Sequence, residues 1–159
     1  MGKVIAEALK REGVIGRLSI DFISVKENDN WKHYAIEINL RKGGTTHPFL
    51  MLQFLTNGHY DEASGLFETP NKQHRYYFAT DNLQSDAYKG LTPRDLIEMA
   101  MFHGLHFDGH TQKGVMFHMI GALSQYGKIG VVCIGASPEE AYSLYRKTIE
   151  VFDAETAVK

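Results

Sequence analysis

The sequence predicts an α+β fold, with helices packed against a largely antiparallel sheet. Three observations carry that expectation. Apolar residues alternate with period two on either side of a short turn cluster, Glu27-Asn28-Asp29-Asn30, as in an antiparallel hairpin. Helix-start chemistry recurs as Thr46-His47-Pro48, Thr92-Pro93 and Ser137-Pro138. Strand-like and helix-like stretches follow one another in mixed order, not as a regular βαβ series.

Taken in order, the chain opens as a helix whose apolar stripe is Val4, Ile5, Ala8 and Leu9, with Lys10 and Arg11 in its last turn and Gly13 and Gly16 at its exit. A strand is expected over about 17–26. Leu18, Ile20 and Phe22 share one face; Ser19, Asp21 and Ile23 share the other. The turn cluster is expected to form a loop slightly longer than the minimal type. A second strand then runs over about 31–41. Gly43-Gly44 ends it, Thr45 or Thr46 caps the next helix, and that helix ends near Asn57-Gly58. A polar, turn-rich stretch over 59–72 suggests a short surface hairpin. Tyr76, Tyr77 and Phe78 mark a strand over 75–83. A third helix has Thr92 as cap, Pro93 as first residue and Asp95 in its first turn, and Gly104 stops it. Two apolar strands are expected over 114–120 and 129–134. A last helix, capped by Ser137, reaches about Phe152. The turn-rich stretch suggests two parts, 1–58 and 59–159.

The composition sets bounds on function. The chain has 159 residues, 43% hydrophobic and 23% charged, so apolar content suffices for a packed core. A net charge of -2 gives no bulk attraction to nucleic acid or to a membrane surface. No apolar run approaches the roughly 20 residues of a membrane span, and the charged N-terminus lacks a signal-peptide core. Cys133, the single cysteine, lies in an apolar run and reads as an inert buried thiol. Together these suggest a cytoplasmic protein with neither nucleic-acid nor membrane partners.

The chemistry concentrates in Tyr34-Ala-Ile-Glu-Ile-Asn-Leu-Arg-Lys-Gly-Gly-Thr-Thr-His47. Period two places Ile36, Ile38 and Leu40 on one face, and Glu37, Asn39 and Arg41 on the other. If the hairpin pairs, Asp21 lies beside Glu37. Carboxylate and carboxamide oxygens suit Mg²⁺ or Mn²⁺. Arg41 offers a bidentate anion clamp. Gly43, Gly44 and Thr45 precede a helix N-terminus, where N–H groups and the helix dipole attract an anion. The same alternation also describes any sheet with one solvated face, and spacing does not separate the two readings.

An Asp in an apolar strand, a turn, then Glu-Ile-Asn-x-Arg and Gly-Gly resembles the C-terminal half of the ATP-grasp fold. The longer wording, with Tyr76 to Leu83, Gly114 to Leu123 and Cys133-Ile-Gly135, resembles the carboxylate–amine ligase branch related to the pheganomycin peptide ligase. The resemblance implies a partial ATP-grasp C-terminal lobe followed by a small α/β C-terminal segment. By motif position it implies Asp21, Glu37 and Asn39 as ligands of Mg²⁺ (or Mn²⁺). Arg41, Gly43, Gly44 and Thr45 fall at phosphate or acyl phosphate, and Arg41 with His47 near the chemistry. It implies ATP as cofactor, with a carboxylate and an amine, small or peptidic, as substrates. ATP phosphorylates the carboxylate, and the amine displaces phosphate to form an amide. In that family the ATP-holding lysines and a glycine-rich loop lie upstream, whereas here about one helix precedes Asp21. The expectation is therefore a part of such an enzyme, lacking the N-terminal ATP-grasp half and inactive alone. The alternative is a catalytically silent binding or assembly module, forming a homo-oligomer or joining a separate ATP-binding subunit.

Other residues carry weaker readings. His103, His106 and His110 with Asp108 have metal-ligand chemistry, but Gly104 and Gly109 interrupt any helix, which favours an ordinary polar loop. His47 serves either substrate or the helix cap. His118 reads as a satisfied interior histidine, and Thr80-Asp81-Asn82 as a strand-end turn. Trp31, Tyr34, Tyr76 and Tyr77 read as sheet packing.

Overall fold

The computed structural model describes residues 1–157 and has the mixed order of an α+β chain. Among these residues lie five α-helices and three small sheets, two with two strands and one with three, whose strands all pair antiparallel. The chain divides into a unit over Met1–Phe49 and a second from Leu50 onward.

In the first unit, α1 (Gly2–Arg11) half-buries Ile5 and Leu9 but leaves Val4 exposed. β1 (Ser19–Glu27) pairs with β2 (Asn30–Asn39). Glu27 already faces Asn30, so the loop is only Asn28-Asp29, shorter than the sequence suggested. Asn28 adopts φ 55°, a left-handed conformation that asparagine tolerates better than most residues. Asp21 pairs with Glu37 and Phe22 with Ala35, so Ile36 is an extra residue, a β-bulge. The expected core face of Ile36, Ile38 and Leu40 is therefore not a face. Ile36 has slipped out of the alternation, and all three residues are exposed, as are Trp31 and Tyr34. A two-stranded ribbon has no neighbouring layer of its own to cover those side chains. At the end of this unit the Arg17 guanidinium lies 3.8 Å from the centre of the Phe49 ring, a cation–π contact.

Helix α2 (Thr46–Thr56) contains the division between the units. Pro48 is its third residue, still within the first turn, where a missing N–H costs no helical bond. β3 (His59–Asp61) and β4 (Leu66–Glu68) form the small hairpin foreseen over 59–72. Asp61 accepts from the N–H groups of Ala63 and Ser64, at 3.4 and 2.9 Å, and so shapes the turn.

The second unit has its core on a three-stranded sheet in the order β5 (Tyr76–Gln84), β7 (Lys128–Gly135), β6 (Gly114–His118). β7 is central, and Ile129, Val131, Val132, Cys133 and Ile134 are wholly buried, as its continuous apolar run requires. α3 (Pro93–Phe102) starts on a full capping box. Thr92 accepts from Asp95 N–H, and the Asp95 carboxylate accepts from Thr92 N–H. α4 (Leu123–Tyr126) is a single turn. α5 (Pro138–Ala157) is capped by Ser137, which accepts from Glu140 N–H at 3.1 Å, and runs about a turn beyond Phe152. Its Phe152 meets Tyr88 edge-on at 5.2 Å and Phe117 at 6.1 Å. Leu83, Leu91, Leu96, Leu105, Leu123 and Val151 belong to the same cluster. Thr80-Asp81-Asn82 lies inside β5 at a register shift, where Asn82 N–H donates to Thr80 Oγ1 at 3.1 Å. The expected strand-end turn is thus a mid-strand irregularity.

His118 is half-buried, with its ring over the backbone of Gly130. A Cβ at Gly130 would come within 2.1 Å of that ring, so the glycine is required by a side chain on the next strand. Gly130→Ala is expected to lower unfolding free energy by about 1–3 kcal/mol through overpacking. Adding His118→Ala should return part of that loss, a coupling that urea denaturation of the single and double variants measures.

Candidate metal and phosphate site

Two features of the ribbon set the site. Glu37 and Asn39, two apart on β2, share a face. The β1–β2 register puts Asp21 directly opposite Glu37 and Ser19 directly opposite Asn39. Directly opposed residues have Cβ atoms about 5 Å apart, and the next pair on that face follows about 7 Å along the strand. Four oxygen-bearing side chains thus form one patch. The bulge at Ile36 restores the facing so that Ile23 and Tyr34 are the next pair. Period two had put Ser19 with Asp21; only the register adds Ser19 to the patch.

Asp21 and Glu37 are exposed, and Asn39 is half-buried. Like charges facing each other across a sheet destabilise it, by about 0.2–1 kcal/mol. Among the described residues no ion pair or side-chain hydrogen bond engages Asp21, Glu37 or Asn39. Lys32, farther along β2 on the same face, is taken by Glu27. The donor set is hard oxygen, unpaired and open to water, which fits a small divalent cation that keeps part of its hydration shell.

The residues after β2 are placed differently from the row drawn by alternation. The strand ends at Asn39, so Arg41 is not part of it. Arg41 is exposed and its Nη1 donates to the carbonyl of Lys42 at 3.4 Å. Gly43 and Thr46 close a tight turn: Gly43 N–H donates to Thr46 Oγ1 at 3.1 Å, and Thr46 N–H to the Gly43 carbonyl at 3.0 Å. The Gly43 N–H is therefore already used. Among the described residues no hydrogen bond uses the N–H groups of Gly44 or Thr45. A Cβ at Gly43 or Gly44 would meet nothing within 4 Å, and neither has positive φ, so packing requires neither glycine. His47 is exposed at the second position of α2.

The other histidines do not converge. His103 Nε2 lies 2.7 Å from Glu155, and His106 Nδ1 lies 3.4 Å from the Ala100 carbonyl. Asp108 accepts from the N–H and hydroxyl of Thr111, which hold its carboxyl below the usual range. Among the described residues no group of three or more His, Cys, Asp and Glu is placed to hold a metal. Burial pushes the Cys133 thiol up to about 12, which keeps it protonated and unreactive.

The comparisons with known proteins bear on both units. The chain is similar to the L-propargylglycine--L-glutamate ligase of Streptantibioticus cattleyicolor. The two are 28% identical over 144 residues, which is 86% of this chain and 29% of the ligase. The chain therefore spans under a third of the relative's length. The family described as PGM1 C-terminal domain matches residues 95–148, from α3 into α5. No solved structure matches the chain significantly. A distant relation to an amino-acid ligase is thus established. No helix among the described residues is long and apolar enough to cross a membrane.

Proposed function

We propose that this chain is part of an ATP- and Mg²⁺-dependent ligase of the ATP-grasp kind, which activates a carboxylate as an acyl phosphate and joins it to an amine. The observation that carries the reading is the unpaired Asp21–Glu37 couple with Asn39 on the same face. Two carboxylates facing each other without a cation cost stability, and a bound divalent ion removes that cost. The distant likeness to an amino-acid ligase over most of the chain supports the same reading.

Asp21, Glu37 and Asn39 would hold Mg²⁺ or Mn²⁺. When bound, the ion would neutralise phosphate charge as the phosphoryl group is transferred. Arg41, exposed just beyond the strand, is available to an anionic oxygen of phosphate or of acyl phosphate. The N–H groups of Gly44 and Thr45 are available to the same anion, with Gly43 fixing the turn that presents them. His47 sits one residue into the following helix, within the same stretch of chain. The division into an ATP-grasp portion over 1–58 and a C-terminal domain over 59–159 belongs to this proposal. So do the cytoplasmic location, the amino-acid or peptide substrates and the partnership with an ATP-binding half.

The test is an ADP-release assay on this chain with ATP, Mg²⁺ and pairs of amino acids, beside a Mn²⁺ binding titration. The expected result is measurable Mn²⁺ binding without turnover. Robust turnover would overturn the view that the ATP-binding half is needed. Absence of Mn²⁺ binding would overturn the metal assignment.

A second reading, an assembly module, is favoured by one observation. The ribbon exposes Ile23, Val25, Trp31, Tyr34, Ile36 and Ile38. Apolar surface of that kind suits a second copy or an ATP-binding subunit. Sedimentation over a range of concentrations separates it from the first, because self-association requires no metal.

A further inference from the structure

Arg75 is an unusual residue to bury. It is 6% exposed at the start of the β5 segment. Its Nε donates to the carbonyl of Gln112 at 3.2 Å and its Nη1 to that of His74 at 2.8 Å. Its Nη2 donates to Gln73 Oε1 at 2.7 Å and to the carbonyl of Thr111 at 3.0 Å. Four of the five N–H groups of a guanidinium are thereby used, and one on Nη1 is left. All four acceptors are neutral. They satisfy hydrogen bonds but do not neutralise the charge, and a buried charge without a counter-charge is costly.

One carboxylate, Glu140, lies in the field of the Arg75 charge, and it serves Lys113 as well. Among the described residues no carboxylate lies within ion-pair distance of Arg75. The Glu140 carboxylate is taken by Lys113 at 2.8 Å and by the N–H of Ala136 at 2.6 Å. Arg75, Lys113 and Glu140 together leave one positive charge over. Beside them lies a shallow, largely open depression of about 480 Å³, lined by Gln73, His74, Arg75, Thr111, Lys113 and Ala136. A depression that open can seat one end of a small molecule without enclosing it. No acidic side chain is among its lining residues. The donor groups of its lining residues are the Arg75 guanidinium, the Lys113 ammonium and the carboxamide N–H₂ of Gln73, whose oxygen is already used by Arg75.

We propose that this depression is a binding subsite for the carboxylate of a small molecule such as an acylated amino acid or short peptide. One uncompensated positive charge matches a monoanion better than a phosphate dianion. A guanidinium and an ammonium lining one depression are the donors that recognise a carboxylate through charge-assisted hydrogen bonds. The subsite lies wholly in the second unit, and its argument does not draw on the metal row.

The experiment is an amide NMR titration of the chain with N-acetylglycine. N-acetylglycinamide and inorganic phosphate are run as separate arms. With N-acetylglycine, saturable shifts are expected at residues 73–75, 111–113 and 136. N-acetylglycinamide is expected to give none, and phosphate to bind more weakly. Arg75 ties two segments together and its removal risks the fold, so the variant is Lys113→Gln. It should weaken N-acetylglycine binding about tenfold or more, the worth of one charge-assisted hydrogen bond. Lys89→Gln, which removes a surface ammonium paired with Asp86, should leave the affinity unchanged. The proposal is overturned by no saturable shift with N-acetylglycine, by equal response to the amide, by tighter binding of phosphate, or by unchanged affinity in folded Lys113→Gln.

Discussion

Phe152→Ala is expected to lower the unfolding free energy of this chain by about 3–5 kcal/mol, the range for a fully buried aromatic cut back to a methyl group. Phe152 has no exposed surface and lies on the inner side of α5. Its ring meets Tyr88 edge-on and Phe117 at a tilt, and the surrounding cluster joins α5 to the sheet. Removing it opens a cavity bounded by β-strand backbone and by other rings, which cannot collapse freely to refill it. Tyr88 adds to the constraint, because its hydroxyl donates to Asp153 at 2.6 Å and so holds the ring in place. Small domains are stable by only about 5–15 kcal/mol, so the variant would lose a large fraction of its margin. The control is Phe102→Ala. Phe102 is 84% exposed, and its loss should fall within about 0.5 kcal/mol. Urea midpoints at constant m-value give both numbers. A Phe152→Ala shift under about 1 kcal/mol would mean that α5 does not organise the core as described.

Much of this architecture is written in local chemistry, and that part was readable. Thr92-Pro93 with Asp95, and Ser137-Pro138 with Glu140, mark helix starts because the cap and first-turn residues satisfy N–H groups within four positions of each other. The continuous apolar run at β7 announces a buried central strand for the same reason, since both faces must be covered. What period two could not supply was register. Asp21 opposite Glu37 follows from a two-residue loop at Asn28-Asp29 together with an extra residue at Ile36, and a bulge leaves no mark in a run of alternating aliphatics. Alternation overstates the burial of the ribbon, because it signals a face suited to covering and not the presence of a cover. Arg75 illustrates the opposite limit. Nothing in Gln-His-Arg-Tyr distinguishes a surface arginine from one whose donors are spent on carbonyls of residues 111 and 112, nearly forty positions away. For the site, residue types and spacing offer Asp21, Glu37 and Asn39 as candidates without separating a metal row from a solvated face, and only the family resemblance favours the metal. The turn that fixes Gly43 through Thr46 was visible only once both hydrogen bonds were in place.

The Glu37→Gln, Asn39→Ala double variant is expected to abolish detectable Mn²⁺ binding while leaving the fold intact. The argument rests on charge and denticity. Asp21 and Glu37 supply two negative charges on side chains whose Cβ atoms are about 5 Å apart, and Asn39 adds a neutral oxygen one step along the same face. After substitution a single exposed carboxylate remains, and water competes with it for a hard cation. In nucleotide sites phosphate oxygens complete the cation's shell, so the affinity of the proposed row alone should be weak. Loss of one of two carboxylates then carries binding out of the measurable range. The sign of the stability change is the sharper check. A structural ion pair lost from a ribbon would destabilise it. Neutralising one member of an unpaired like-charge couple should instead leave the unfolding midpoint unchanged or raise it, by up to about 1 kcal/mol in metal-free buffer. Asp21→Asn should behave the same way, since the register makes the two carboxylates equivalent halves of one couple. Mn²⁺ electron paramagnetic resonance reads the free ion directly, and urea unfolding with and without chelator reads the stability. Unchanged Mn²⁺ binding in the double variant would remove the metal row. Destabilisation in chelator would show that Glu37 serves the ribbon instead of an ion.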